Sequence, residues 1–203
     1  MPLRAWRCKS SLAHYMLYTG KGDKGKTSIF GCDQRISKSS AVAEALGTLD
    51  ELNSFLGICK VKIEKKNKKR LLEIQGRSLA DIVHEVQKNL FIIQAEVAGA
   101  GKNISAEKIK EIEKIINNIE KELPPIKKFF ISGGTKLAVD FDFARALARR
   151  AERRVVEVDG ESKQKIGENT LAYLNRLSSL LYALARLTNH KFGITEESPN
   201  YTR

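Results

Sequence analysis

Residues 168–190 read ENTLAYLNRLSSLLYALARLTNH. Leu171, Leu174, Leu177, Leu181, Leu184 and Leu187 recur at steps of three and four, the spacing that lines one face of an α-helix. A face this apolar must be buried against other helices. Working outward, the same periodicity predicts further helices at approximately 40–60, 77–98, 106–122 and 137–158. In 106–122, Ile109, Ile112, Ile116 and Ile119 step along one side, with Leu123 just beyond, while Lys and Glu fill the other, as in an amphipathic surface helix. No alternation of period two runs longer than a few residues. The expected fold class is therefore all-α, a bundle of five helices.

A chain of 203 residues is long enough to bury one core, and no composition break separates its halves. We expect an N-terminal extension at 1–15, disordered or arm-like, a helical domain at 16–191 and a C-terminal tail at 192–203. The extension carries Arg4, Arg7, Lys9, Ser10 and Ser11 without an acid, which loosely resembles a mitochondrial transit peptide; a start-site extension explains it at least as well. The 36 basic side chains outnumber 24 acidic ones, and a charge of +12 favours anionic partners: nucleic acid, a membrane surface or a small polyphosphate. The basic run from Lys60 to Arg70 has no interleaved aromatics and reads as a solvated helix end or mobile loop rather than an RNA surface. No apolar run approaches the roughly 18–20 residues of a membrane span. Cys8, Cys32 and Cys59 have no CxxC spacing and no nearby His cluster, which points away from zinc and disulfides and toward a reducing, cytoplasmic setting.

The segment Gly20-Lys21-Gly22-Asp23-Lys24-Gly25-Lys26-Thr27 satisfies the GxxxxGK[ST] pattern of a P-loop. A true P-loop follows a buried strand and opens a helix. Here Ser28-Ile29-Phe30-Gly31 is a poor helix start and no βαβ units follow, so a P-loop fold is not expected. The chemistry outlives the fold. Glycines let backbone N–H groups converge, and Lys21, Lys24, Lys26, Thr19 and Thr27 are suited to hold a polyphosphate, with Arg35 and Lys38 extending the site. A flexible polar arm is the other reading of this stretch.

Arg145, Arg149, Glu152 and Arg153 fall at i, i+4, i+7 and i+8, one stripe of a helix beside the small residues Ala144, Ala148 and Ala151. On a packed face such arginines need partners, and Asp50, Glu51 or bound phosphate are the candidates. The alternative is a salt-bridged solvent face, worth about 0.3–0.5 kcal/mol per pair. Asn175 interrupts the leucine-rich helix on its expected inner side, where it would tie two helices together or read a ligand. Between the third and fourth helices, Pro124 and Pro125 stop one helix and Gly133 and Gly134 free the backbone before the next. The adjacent Phe129 and Phe130 in this loop either cap the end of the bundle or serve a site.

Three segments together resemble the PduO-type ATP:corrinoid adenosyltransferase family. They are TGKGDKGKT (19–27) with RISK (35–38) and EALGTLDELNS (44–54), then FFISGGT (129–135) leading into ARALARRAERRVV (144–156), and YLNRLSSLLYALAR (173–186). The resemblance implies a five-helix bundle of the ferritin-like, cobalamin adenosyltransferase type with an N-terminal Gly-rich nucleotide loop. It implies a homotrimer with active sites between subunits. Transfer of the 5′-deoxyadenosyl group of ATP to the cobalt of cob(I)alamin would be the activity, with Mg²⁺ accompanying ATP. Thr19, Gly20, Lys21, Gly22, Asp23, Gly25, Thr27 and Lys38 would hold the nucleotide. Arg145, Arg149, Glu152 and Asn175 would complete the ATP and magnesium site, with Glu152 toward the metal. Asp50 would pair with Arg145, and Phe129, joined by Phe130, would crowd the lower face of the corrin. A reductase and an adenosylcobalamin-dependent acceptor enzyme would be the protein partners, without nucleic acid or membrane.

This sequence departs from the family pattern at Ser179, where Asp is common, and at Ser132, where Pro is frequent. Two rival functions remain. A non-catalytic carrier of ATP or corrinoid would use the same loop and arginines. An RNA-binding helical protein would rest on charge alone.

Overall fold

Among the described residues the leucine and isoleucine stripes build five helices: α1 (Ala41–Glu64), α2 (Leu79–Val97), α3 (Ala106–Glu122), α4 (Lys136–Glu161) and α5 (Glu168–Lys191). The structure, a computed structural model, describes residues 18–29, 35–64, 72–161 and 165–201. Two short antiparallel hairpins precede α1 and α2: β1 (Lys26–Ser28) pairs with β2 (Arg35–Ser37), and β3 (Glu73–Ile74) with β4 (Arg77–Ser78). The chain is an all-α five-helix bundle with these hairpins as appendages.

Neighbouring helices run in the order α2, α1, α4, α5, α3. Leu49, Leu52 and Leu56 of α1, Phe141 and Ala148 of α4, and Leu174, Leu177 and Leu184 of α5 are fully buried. Each such leucine contributes about 1.5–3 kcal/mol by leaving water. The alanines Ala144, Ala148 and Ala151 are all fully buried, and their small size lets α4 lie close to its neighbours. On α3 only Ile112 and Ile119 are buried, while Ile109, Ile115 and Ile116 are half-covered, so this helix lies on the outside of the bundle.

Some polar groups inside the bundle join helices. Asn89 of α2 donates to the Tyr173 hydroxyl of α5 at 3.0 Å. Burial of that phenol pushes its ionisation well above the ordinary range. Glu96, at the end of α2, accepts the Gly167 amide at 2.7 Å and the Thr170 hydroxyl, so its carboxylate sits at the N-terminal end of α5. Ser78 caps α2 by accepting from the Ala80 amide.

Two boundaries move from the sequence reading. α1 runs to Glu64 rather than 60 because Ile63 still reaches the core, fully buried. α4 runs to Glu161 through Gly160, and Asp159 accepts the Ile166 amide at 2.9 Å to turn the chain toward α5. The extension at 1–15 and Lys65–Arg70 of the basic run lie outside the described residues. No helix among the described residues is long and apolar enough to cross a membrane.

Candidate active site

The glycine-rich segment forms a tight turn in front of β1. Asp23 and Gly25 donate their amides to the carbonyls of Gly20 and Gly22 at 3.2 and 3.1 Å. Gly20 and Gly25 have φ of 64° and 71°, a left-handed conformation that costs a side-chain-bearing residue about 1–2 kcal/mol. At Gly22 the constraint is space instead: an added Cβ would lie 3.1 Å from the Lys38 ammonium, which folds over the turn. The Lys38 amide also donates to the Gly25 carbonyl at 2.9 Å. Arg35, expected to extend a phosphate site, bonds the carbonyls of Lys21 and Lys26 and buttresses the turn. Thr19, Lys21, Asp23 and Lys38 are exposed and Thr27 is half-buried. Lys26–Ser28 is a strand, with no helix opening after Thr27, so the P-loop match is formal, as the sequence context implies. Among the described residues, no hydrogen bond or ion pair of this turn reaches α4 or α5.

On the bundle, Arg149, Glu152, Arg153 and Val156 of α4 and Asn175 of α5 line an open groove of about 340 Å³. Asn175 Nδ2 donates to Glu152 Oε1 at 3.1 Å. Arg176 bonds the Asn175 carbonyl oxygen at 3.3 Å and ion-pairs with Glu113 of α3 at 3.2 Å, fixing the amide's orientation. Asn175 is thus at the surface, not on the inner side: the core face of α5 runs through Tyr173, Leu174 and Leu177, and Asn175 falls at its edge, against α4. Arg149 and Arg153 are exposed and make no ion pair or hydrogen bond among the described residues. Two unpaired guanidiniums beside one carboxylate leave the groove electropositive, suited to an anion.

The acids of α1 do not serve this stripe within the chain. Glu51 pairs with Arg150 and Glu44 approaches Arg154 at 3.5 Å. Successive helix positions differ by about 100°, so Arg150 and Arg154 face α1 while Arg149 and Arg153 face the groove. Asp50 is exposed and has no partner among the described residues. Arg145 is half-buried. The carboxylate of Asp142 lies 3.6 Å from its Nε, which is buried and makes no hydrogen bond among the described residues.

Near Arg145, a cavity of about 40 Å³ lies beneath the 124–135 loop. Burial pushes the Asp142 carboxyl above its ordinary value, against the opposing pull of Arg145 and a hydrogen bond from Ser132. The two phenylalanines part company. Phe129 is 80% exposed, whereas Phe130 is half-buried with the Arg186 guanidinium 5.0 Å from its ring centroid. Only Phe130 caps the bundle. Arg186, Asn189 and Glu196 hold this loop, and the one sign of this in the sequence is an arginine between Ala185 and Leu187 in an apolar stripe.

The family model of cobalamin adenosyltransferase matches residues 17–188. The chain belongs to this family. It is 38% identical over 181 residues to the corrinoid adenosyltransferase PduO of Citrobacter freundii, covering 86% of this chain and 50% of that protein. It is 37% identical over 186 residues to a corrinoid adenosyltransferase of Bacillus subtilis, covering 88% and 89%. The chain thus spans about half the length of the Citrobacter and Salmonella PduO relatives and most of the Bacillus one. A solved structure similar to it is a variant PduO-type ATP:corrinoid adenosyltransferase from Lactobacillus reuteri complexed with cobalamin and ATP. The TM-score is 0.81 at 30% identity, over 93% of this chain and 98% of that one.

Proposed function

We propose that the chain transfers the 5′-deoxyadenosyl group of ATP to the cobalt of a reduced corrinoid. The observation that carries this reading is the electropositive groove of Arg149, Glu152, Arg153 and Asn175 in a member of the cobalamin adenosyltransferase family. Co(I) supplies both electrons of the new Co–C5′ bond, the C5′–O bond breaks, and triphosphate leaves with its pair. No proton needs to move. The protein's part is to align the two substrates and to stabilise the leaving charge. Arg149 and Arg153 would meet the triphosphate, and Asn175, held by Glu152 and Arg176, would present its amide to the nucleoside. Phe129 would stand against the lower corrin face, where an apolar wall disfavours a polar axial ligand.

Magnesium would enter with ATP. Mg²⁺ is commonly bound through one or two carboxylates together with substrate phosphates. Among the described residues Glu152 is the one carboxylate lining the groove. This fits a metal carried mainly by the triphosphate.

We further propose that the working form is a homotrimer whose sites lie between subunits. Among the described residues of one chain the hydrogen bonds of the glycine-rich turn close on the turn and the strands beside it, and its Thr19, Lys21, Asp23 and Lys38 are exposed. The exposed Asp50 and the under-bonded Arg145 would find each other across that interface. A reductase and an acceptor enzyme would be transient partners in the cytoplasm, where Co(I) formation is favoured by reducing conditions.

The test is anaerobic conversion of chemically reduced cobalamin to adenosylcobalamin with MgATP, followed by visible absorbance. Loss of Arg149 in Arg149→Ala is expected to lower kcat about 10²–10³-fold, as removal of one charge-stabilising donor does. Absence of product with the wild-type protein, although both substrates bind, would overturn the transferase reading and leave a carrier.

A further inference from the structure

The loop that ends in Gly133-Gly134-Thr135 is held at five places by the last two turns of α5 and the segment that follows. Arg186 is 5% exposed, and its guanidinium acts in three directions at once. Its Nε donates to Glu196 Oε2 at 2.9 Å, its Nη2 donates to the Pro124 carbonyl at 3.3 Å, and its face lies 5.0 Å from the Phe130 centroid. Asn189 donates to the Gly133 carbonyl and accepts the Thr135 amide, both at 3.0 Å. The Ile131 amide donates to the Glu197 carbonyl at 2.8 Å, so the tail is tied to the loop. The contacts to the loop fall on Pro124 before Phe129 and on Phe130, Ile131, Gly133 and Thr135 after it, while Phe129 itself stays 80% exposed.

We propose that Arg186 and Glu196 are positioning residues for the corrinoid, clamping the 124–135 loop so that Phe129 projects at a fixed place. This rests on the role given to Phe129 above. A planar guanidinium meets a carboxylate, a carbonyl and an aromatic face together, which a lysine ammonium does not. Glu196 supplies the counter-charge that lets Arg186 remain buried. Ordering the ring before the corrin arrives removes part of the entropy cost of binding it. The groove of Arg149 and Arg153 lies farther along α4 and shares no lining residue with the cavity beneath the clamp, which Arg145 lines instead.

The test uses Glu196→Gln and Arg186→Lys in the full chain, reading both KM values and amide hydrogen exchange. Glu196→Gln is expected to raise the corrinoid KM about tenfold, the effect of weakening one charge-assisted contact, with the KM for ATP unchanged. Arg186→Lys keeps the charge and is expected to fall between wild type and Glu196→Gln. The Ile131 and Thr135 amides are expected to exchange faster in Glu196→Gln. An unchanged corrinoid KM, or equal rises in both KM values, would overturn the clamp. Should the wild-type protein form no adenosylcobalamin, the transferase reading fails, and exchange decides alone: unchanged protection at Ile131 and Thr135 then overturns the clamp.

Discussion

Replacing Gly134 by alanine is expected to cost far more than the same change at its neighbour Gly133, and the structure gives the size of the difference. Gly134 has φ of 96°, and an added Cβ would lie 2.3 Å from Asn189 Oδ1. The backbone conformation alone costs a residue with a side chain about 1–2 kcal/mol. Asn189 would have to withdraw, breaking its bonds to Gly133 and Thr135, each worth about 0.5–1.5 kcal/mol. The sum is about 2–5 kcal/mol. In a domain of this size each kcal/mol lowers the melting temperature by about 2–4 °C, so the loss is roughly 4–20 °C. At Gly133 an added Cβ meets only the Ile131 carbonyl at 4.0 Å, and alanine there is expected to be neutral or to stabilise by up to about 1 kcal/mol. Thermal unfolding followed by circular dichroism compares the two variants directly. If they melt within 2 °C of each other, to within about one kcal/mol, the left-handed turn and its clash with Asn189 do not constrain this loop.

Two further predictions concern titratable groups. Cys59 is fully buried and its thiol is pushed up to about 12, chiefly by burial. Iodoacetamide at pH near 8 is therefore expected to leave the Cys59 peptide unlabelled in the native protein and to label it in guanidinium, read by mass spectrometry; native labelling refutes its inaccessibility. Asp142 has a folded-state ionisation raised above its unfolded value of 3.8, mainly by burial, with Arg145 and Ser132 opposing and Glu196 adding to the rise. The native state then binds the proton more tightly, so this group's contribution is greatest at low pH and is lost as pH rises from that value through the folded one. Asp142→Asn is expected to remove this falling component from the pH dependence of the denaturation midpoint, and an unchanged slope would contradict the assignment.

Much of the bundle was legible because helical periodicity is a local property. The 106–122 segment has the same bounds in sequence and structure, since Ser105 and Leu123-Pro124 mark both ends. The rejection of a P-loop was legible for a related reason: that motif requires a following helix, and Ser28-Ile29-Phe30-Gly31 offers none. The position of Asn175 was not legible, because a residue one step from the core stripe lies at an edge whose neighbour is chosen by the packing of α4. The separate fates of Phe129 and Phe130 were equally hidden, since adjacent residues in an irregular loop have no period to distinguish them.

By itself, the sequence determined the class of fold, the helices of the described residues and the glycine-rich segment, all of which follow from residues a few positions apart, whereas the tertiary structure sends Arg149, Glu152 and Arg153 to one groove and Arg145 to the cavity under the 124–135 loop. Tertiary structure decided the partners: Glu51 with Arg150, Asn175 with Glu152, and Arg186 with Glu196, Phe130 and Pro124. The physical reason is that a charged side chain accepts several partners of similar chemistry, and only the rotation and separation of packed helices bring one of them within hydrogen-bonding reach.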